Sequence, residues 1–437
     1  MADEQRRRAV ENSADRGPIV AHFRLFFAVW DSHGHEYQAG RAPTTMSQVR
    51  AGLGSTQLGL AGGIATLLGI GMARFAYTPL IPALVDAGWF SSHAAAYLGA
   101  VNLLGYLLGA ALAHRATLIF GTRAVLGVCL AITVASLVGC ALDWGVIWYG
   151  IWRLACGVTG AMLVVVGAPA ALSRVAPAER ARTSALVFTG IGLGVMASGT
   201  LVPWLAGFGV ALPWLALAAV ALGLALWSWF SVWRHLAPLD RAPTSVADDG
   251  ALPMWPIMLV IVAYGLDAIG FVPHTLFWVD YIARELGRGL ATGSAYWVVF
   301  GFGAACGPLV AGAVAARVGF RPALVGALGI KAAAVGLALV SDSAWALALS
   351  SFCVGLLVPG TVTLTSGSIA ELCPPERQQQ LWGWATLSFA LAQTVGAYGM
   401  SWGYEQLGRY LPLFALAFVA LLAALASALA AACQRTP

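Results

Sequence analysis

From residue 57 onward the chain is a succession of apolar runs separated by short clusters of Pro, Gly and charge. The runs fall at 57–84, 93–113, 122–142, 145–171, 183–206, 211–233, 254–281, 290–315, 322–341, 344–370, 381–404 and 410–433. About 20 apolar residues cross a bilayer as a helix, so the pattern predicts twelve transmembrane helices. The runs are too long for barrel strands, and they lack the alternation of polar and apolar positions that lipid-embedded strands require. The expected fold class is an all-α polytopic membrane protein. Residues 1–55 break the pattern: they hold seven of the 24 basic and six of the 19 acidic residues and form a polar, disorder-prone tail.

Composition supports this reading. The chain is 59% hydrophobic and 10% charged, against roughly 25% charged in soluble domains, which excludes a soluble enzyme. The tail's best apolar stretch, 19–30, is broken by His22 and Arg24, so no cleaved signal is expected. Residues 1–45 are expected to be dispensable, with Met46 as an alternative start. The seven cysteines contain no C-x-x-C pair and sit mostly within apolar runs, as small hydrophobes do. The formal charge of +5 comes from residues scattered over short loops, not from a stripe that would suit nucleic acid.

Those loop charges give an orientation, because Lys and Arg accumulate on the cytoplasmic side. With the N-terminus inside, Arg115, Arg123, Arg174, Arg180, Arg182, Arg234, Arg241, Arg317, Arg321, Arg377 and Arg435 are cytoplasmic, and only Arg284, Arg288 and Arg409 face outward. Both termini are therefore expected in the cytoplasm. Trp89, Trp144, Trp148, Trp204, Trp214 and Trp402 fall at the outer helix ends, where indoles favour the interface.

The longest polar connection, 234–253, divides the helices six and six, giving an expected N-terminal bundle at 56–233, a cytoplasmic linker, and a C-terminal bundle at 254–433. An internal repeat agrees. Gly121-Thr-Arg123 recurs as Gly319-Phe-Arg321, and Gly105 and Gly109 recur as Gly303 and Gly307, all offset by 198; Pro177-Ala-Glu-Arg180 recurs as Pro374-Pro-Glu-Arg377, offset by 197. Parallel six-helix repeats with a site between them are a transporter architecture.

These residues resemble the major facilitator superfamily. Gly312-Ala-Val-Ala-Ala-Arg317-Val-Gly319-Phe-Arg321 is similar to that superfamily's loop between helices 8 and 9, with Ala316 in place of the usual acid. In the first half His114-Arg115 is followed by what is expected to be a longer loop before Gly121-Thr-Arg123. The resemblance makes Arg115, Arg123, Arg317 and Arg321 candidates for gating contacts, without the usual acidic partner. Arg153-Leu-Ala-Cys-Gly157 in helix 4 resembles the superfamily's R-x-x-x-G motif. Gly71-Met-Ala-Arg74-Phe-Ala-Tyr77-Thr-Pro79-Leu-Ile-Pro82, Asn102-Leu-Leu-Gly105-Tyr106-Leu-Leu-Gly109 and Tyr264-Gly-Leu-Asp267-Ala-Ile-Gly270-Phe271 resemble its YbfB/YjiJ branch. The resemblance spans about 56–433 and implies a secondary transporter in the plasma (inner) membrane. Helix 5 lacks the Gly-Pro step of the antiporters, so direction stays open.

The predicted spans contain Arg74, Arg153, Asp267, His274, Asp280 and Lys331 as ionisable groups. A charge at bilayer depth costs at least about 2.5–3.5 kcal/mol, so each needs a cavity, a partner or a route to the interface. Arg153 lies about 12 Å below the outer end of helix 4 and Asp267 about 20 Å into helix 7, by 1.5 Å per residue. Tyr264, Asp267, Phe271 and His274 follow i, i+3, i+7, i+10 and form one stripe. The expected substrate-binding residues are Arg74, Tyr77, Asn102, Arg153, Tyr264 and Gln393, with Thr361, Thr363, Thr365 and Ser366 as further polar positions. A carboxylate or comparable anion suits the guanidinium pair. The proton-coupling candidates are Asp267 and His274, because a buried carboxylate has a tunable pKa; the alternative for Asp267 is a fixed ion pair to an arginine. Asp280 is expected to be a solvated helix end and Lys331, the sole lysine, to snorkel to the interface.

The expected activity is alternating-access transport of a small anionic solute by a monomer, with protons as co-substrate and the bilayer as its other partner. No catalytic constellation, metal site, cofactor motif or Walker loop is present in a suitable context, and His33-Gly-His35 is too little for a metal. Two alternatives stay in view. A transport-inactive sensor or assembly factor on the same fold would gain from a structured appendage. A membrane enzyme acting on a lipid-linked substrate would show polar clusters in an interface loop, whereas the charges here gather on helices 1, 4 and 7.

Overall fold

A computed structural model describes residues 53–176, 179–236 and 252–434; the expected tail and most of the expected linker lie outside the described residues. Those residues form twelve helical segments and no strand. They are α1 (Ser55–Asp86), α2 (Ser92–Phe120), α3 (Thr122–Gly139), α4 (Gly145–Leu172), α5 (Arg180–Ala206) and α6 (Ala211–Ser231). In the second half come α7, built from Met254–Gly270, Val272–Leu276, Trp278–Asp280 and Tyr281–Glu285, then α8 (Gly289–Val318), α9 (Phe320–Val340), α10 (Ala344–Ala370), α11 (Pro375–Leu407) and α12 (Leu411–Ala432). Ten of these are long and apolar enough to cross a membrane by themselves. The other two are α7, which is built from four short segments, and α11, whose first turns are polar. Both described chain ends, near Leu53 and Gln434, lie at one end of the bundle, called here the terminal end; the other is the distal end.

The sequence repeat is also a packing repeat. A β-carbon on Gly105 would stand 2.3 Å from the Leu154 carbonyl oxygen, and one on Gly303 would stand 2.4 Å from that of Phe352. At Gly109 and Gly307 the clash is 2.2 Å with Val158 and Leu356, and at Gly157 and Gly355 it is 2.1 Å with Asn102 and Phe300. Every partner is itself offset by 198. These glycines let α2 lie backbone to backbone on α4, and α8 on α10, as small residues do in membrane interfaces.

The loop expected after Arg115 is absent: α2 continues to Phe120, and the chain turns at Gly121 alone, at φ +80°, as it does at Gly319, φ +88°. A helix of 29 residues is about 44 Å long, so it outruns a hydrocarbon core of about 30 Å. Trp214 also departs from expectation. Trp144, Trp204 and Trp402 are exposed, but Trp214 is fully buried against Tyr149, at 5.9 Å between rings.

The first and last six helices meet along α5–α8 and α2–α11. Gly192 faces the Gly301 carbonyl and the Ala305 amide, and Thr394 donates to the Leu103 carbonyl at 3.2 Å. Within the second half, α9 packs against α10 and α12.

Candidate functional site

The site begins at a break in α1. The helix widens to a π-turn at Leu67–Met72, is irregular over 73–76, and resumes at Tyr77. Pro79 and Pro82 remove the amides that would otherwise bond the Phe75 and Thr78 carbonyls, and Phe75 accepts instead from the Thr78 amide at 3.3 Å. Close approach of α4 makes the break usable: Gly69 and Gly160 each sit against the other's carbonyl. The Ala73 carbonyl then accepts from Arg153 Nη1 at 2.9 Å, from Asn102 Nδ2 at 3.4 Å and from Cys156 Sγ at 3.5 Å.

Arg153 and Arg74, paired in the sequence reading, differ in surroundings. Arg153 is 1% exposed, lies 4.3 Å over the Tyr77 ring, and has Asn102 Nδ2 on its own carbonyl at 2.9 Å. The Tyr77 hydroxyl is spent on the Ala95 carbonyl at 2.8 Å, so Tyr77 offers a ring face and no donor. Arg74 is half-buried, between the rings of Phe75 (5.0 Å) and Tyr106 (5.7 Å), and its Nη2 has no hydrogen-bond partner. Among the described residues neither arginine pairs with a carboxylate. Both line a cavity of about 10 Å³, room for about one water, together with Asn102, Thr275 and Leu276. The Asn102 Oδ1 and Arg153 Nε are also buried without partners. The cavity thus carries two guanidinium groups and spare polar atoms between α1, α2, α4 and α7.

Across from it, Tyr264 of α7 stacks on Phe389 (4.5 Å) and Trp382 (5.8 Å) of α11. Gln393 is buried with its Nε2 unpartnered. It follows Trp382 and Phe389 at helical spacing and shares their face.

The expected stripe on α7 is divided. Asp267 accepts from Lys331 Nζ at 2.7 and 3.0 Å, and the Thr361 hydroxyl lies 3.0 Å from that nitrogen and 2.9 Å from the carboxylate. Lys331 therefore does not snorkel. It is wholly buried and spans from α9 to α7, since a carboxylate within reach compensates the ammonium better than a long climb to water. The pair also replaces the arginine considered for Asp267. The α7 helix is interrupted at Phe271, whose ring lies 5.2 Å from Lys331 Nζ and 5.8 Å from Phe389. Beyond that break His274 turns into the bundle, stacked on Trp278 at 4.3 Å, with Nε2 2.8 Å from Ser350 Oγ. Ser350 Oγ itself donates to the Ala334 carbonyl at 2.7 Å, so His274 Nε2 is the donor to Ser350.

Asp280 is likewise no solvated helix end. It is fully buried, accepts from Arg284 Nη1 at 3.3 Å and from the Tyr410 hydroxyl, and so has its charge shared by two donors. Arg284 also reaches the first half, through Ser92 Oγ at 2.9 Å and Asp86 at 3.6 Å. Thr78 donates to the Thr275 carbonyl, and Tyr97 donates to Glu405 at 2.8 Å. These bonds tie the two halves together toward the distal end. At the terminal end Arg321 pairs with Glu371 at 3.5 Å, and Glu371 accepts from the Phe320 amide at 2.9 Å. That supplies from α10 the acid missing at Ala316. Arg123 lies 5.8 Å over Trp229, and Arg115 and Arg317 are exposed.

Sequence reasoning missed the Arg284 cluster, Glu371 and the pairing of Lys331. Only Lys331 carried a signal: a single lysine inside an apolar run.

The family model described as "Uncharacterised MFS-type transporter YbfB" matches residues 66–432. Among solved structures, the crystal structure of a D-xylose-proton symporter is similar, with a TM-score of 0.67 at 17% identity, covering 86% of this chain and 96% of the other. No curated protein matches the chain in sequence.

Proposed function

Because this chain belongs to the YbfB-type branch of the major facilitator superfamily, and is an integral membrane transporter by that membership, we propose that it moves a small organic anion by alternating access, coupled to protons. The observation that carries the anionic reading is Arg74, a guanidinium beside an inter-helix cavity with one nitrogen buried and unpartnered and no carboxylate on it. A guanidinium offers two parallel donors to a carboxylate, and an unsatisfied buried donor is stabilised by a ligand that completes it. Arg153 supports the same field while bracing the α1 break. Asn102, Tyr264 and Gln393 orient the solute, and Tyr77 contributes through its ring.

In this reading Asp267 carries the coupling proton and Lys331 sets when it does so. His274 is a secondary candidate, since its Nδ1 is buried and unpartnered. Helices α1–α6 and α7–α12 act as the two moving halves, Arg284 closes the distal side, and Arg115, Arg123, Arg317 and Arg321 serve the other gate. The protein is a monomer in the plasma (inner) membrane with both termini in the cytoplasm.

Tracer flux into proteoliposomes with an imposed proton gradient, screened over organic anions, sugars and drugs, tests this. The expected result is uphill accumulation of a carboxylate that weakens in Arg74→Lys. Transport of neutral sugars alone would overturn the anion assignment, and uphill transport indifferent to the proton gradient would overturn coupling.

A further inference from the structure

Five side chains from the two halves accompany Arg74 between α2, α7 and α11, and their chemistry specifies more than a negative charge. On one side the Arg74 guanidinium lies over Tyr106 at 5.7 Å. On the other, Tyr264, Phe389 and Trp382 stack with interplanar angles of 28° and 29°. Thr394, next to Gln393 on α11, donates to the Leu103 carbonyl of α2 at 3.2 Å, three residues before Tyr106, which brings the two sides together. Arg74, Tyr106, Trp382 and Phe389 are only half-buried, and Trp382 and Phe389 lie on a different face of α11 from the exposed Leu391, Val395 and Trp402. Gln393, on the face of α11 that carries Trp382 and Phe389, adds an unpartnered buried amide.

Resting on the anion reading above, we infer that the transported solute is a planar aromatic monocarboxylate. Its carboxylate meets Arg74, its ring enters between Tyr106 and the Tyr264–Phe389 stack, and Gln393 donates to a polar substituent or to the carboxylate edge. A saturated ring of the same size fills the slot but loses the offset-stacked and edge-to-face geometry that aromatic pairs favour. Phe271 gives the slot a connection to the ion pair, because its ring touches both Phe389 and the Lys331 ammonium.

The test is equilibrium binding of radiolabelled benzoate to the purified full-length protein, competed with cyclohexanecarboxylate and with benzamide. Benzoate should bind, cyclohexanecarboxylate should compete about 3- to 10-fold more weakly, and benzamide more weakly still. Phe389→Leu should abolish the benzoate preference over cyclohexanecarboxylate while keeping the preference over benzamide, and Phe389→Tyr should retain both. Equal competition by cyclohexanecarboxylate in the wild type would overturn the aromatic assignment and leave the anion reading standing. Equal competition by benzamide would instead overturn the anion reading. Absence of benzoate binding to a protein that still binds an aliphatic carboxylate would overturn the inference directly. If Phe389→Leu fails to fold, Trp382→Leu serves the same comparison, and an undiminished benzoate preference in it would count against the slot.

Discussion

Lys331→Met removes the ammonium and keeps most of the apolar stem. Asp267 is then left in a site where both partners are at most 1% exposed, with only the Thr361 hydroxyl at 2.9 Å. Removing one member of a buried pair costs about 3–5 kcal/mol, and replacing both by neutral groups is often without cost. The expected pattern is therefore a loss of about 3–5 kcal/mol in Lys331→Met, a comparable loss in Asp267→Asn, and recovery of most of it in the double variant. Reversible unfolding in mixed micelles reads the stability, and proteoliposome flux reads the coupling. The double variant should exchange solute at equal concentrations but not accumulate it against a gradient. If Lys331→Met were as stable as the wild type at neutral pH and still drove uphill transport, the pair would be neither structural nor part of coupling.

Three further expectations follow from particular contacts. Arg284→Gln deprives buried Asp280 of its cation and cuts the links to Ser92 and Asp86, so a cysteine placed at Leu276 in a cysteine-free background should react several-fold faster with an impermeant thiol reagent; an unchanged rate would remove Arg284 from the distal closure. Gly157→Ala and Gly355→Ala each put a methyl 2.1 Å from a backbone oxygen that cannot rotate away, so each should cost about 1–3 kcal/mol or more in unfolding measurements, and a neutral result at either would break the packing repeat. Cysteines introduced singly at Asp143 and Gln434, at opposite ends of the bundle, should differ in labelling from outside, with Asp143 reactive and Gln434 protected; the reverse would invert the topology.

The helices were legible because bilayer thickness imposes a length that a run of apolar residues either meets or does not. What the pattern could not convey was which charges meet. Lys331 and Asp267 are 64 residues apart on helices with few mutual contacts, and hydropathy records only that each sits deep. Asp280 misled for a related reason: a position near a helix end reads as wet, but Tyr410 and Arg284 arrive from elsewhere in the fold to enclose it. Arg74 and Arg153 were read as a pair. Both line the cavity, yet only the structure distinguishes the guanidinium already occupied by the Ala73 carbonyl from the one with a nitrogen to spare.

The Ala73 carbonyl has one more consequence. Three donors from α2 and α4 converge on it, so the interruption in α1 is clamped and α1 travels with its neighbours as a single bracket. The position 198 residues on is Phe271, where α7 is interrupted in turn. There the counterparts of Asn102 and Arg153 are Phe300 and Ser351, and the Phe271 carbonyl receives only the Thr275 amide and hydroxyl from its own helix. The two kinks, equivalent by position, thus differ in what holds them: donors from two neighbouring helices at Ala73 and, among the described residues, donors from its own helix at Phe271. Bending in the transport cycle is expected to concentrate in α7, the same helix whose Phe271 ring stands between Phe389 and the Lys331 ammonium.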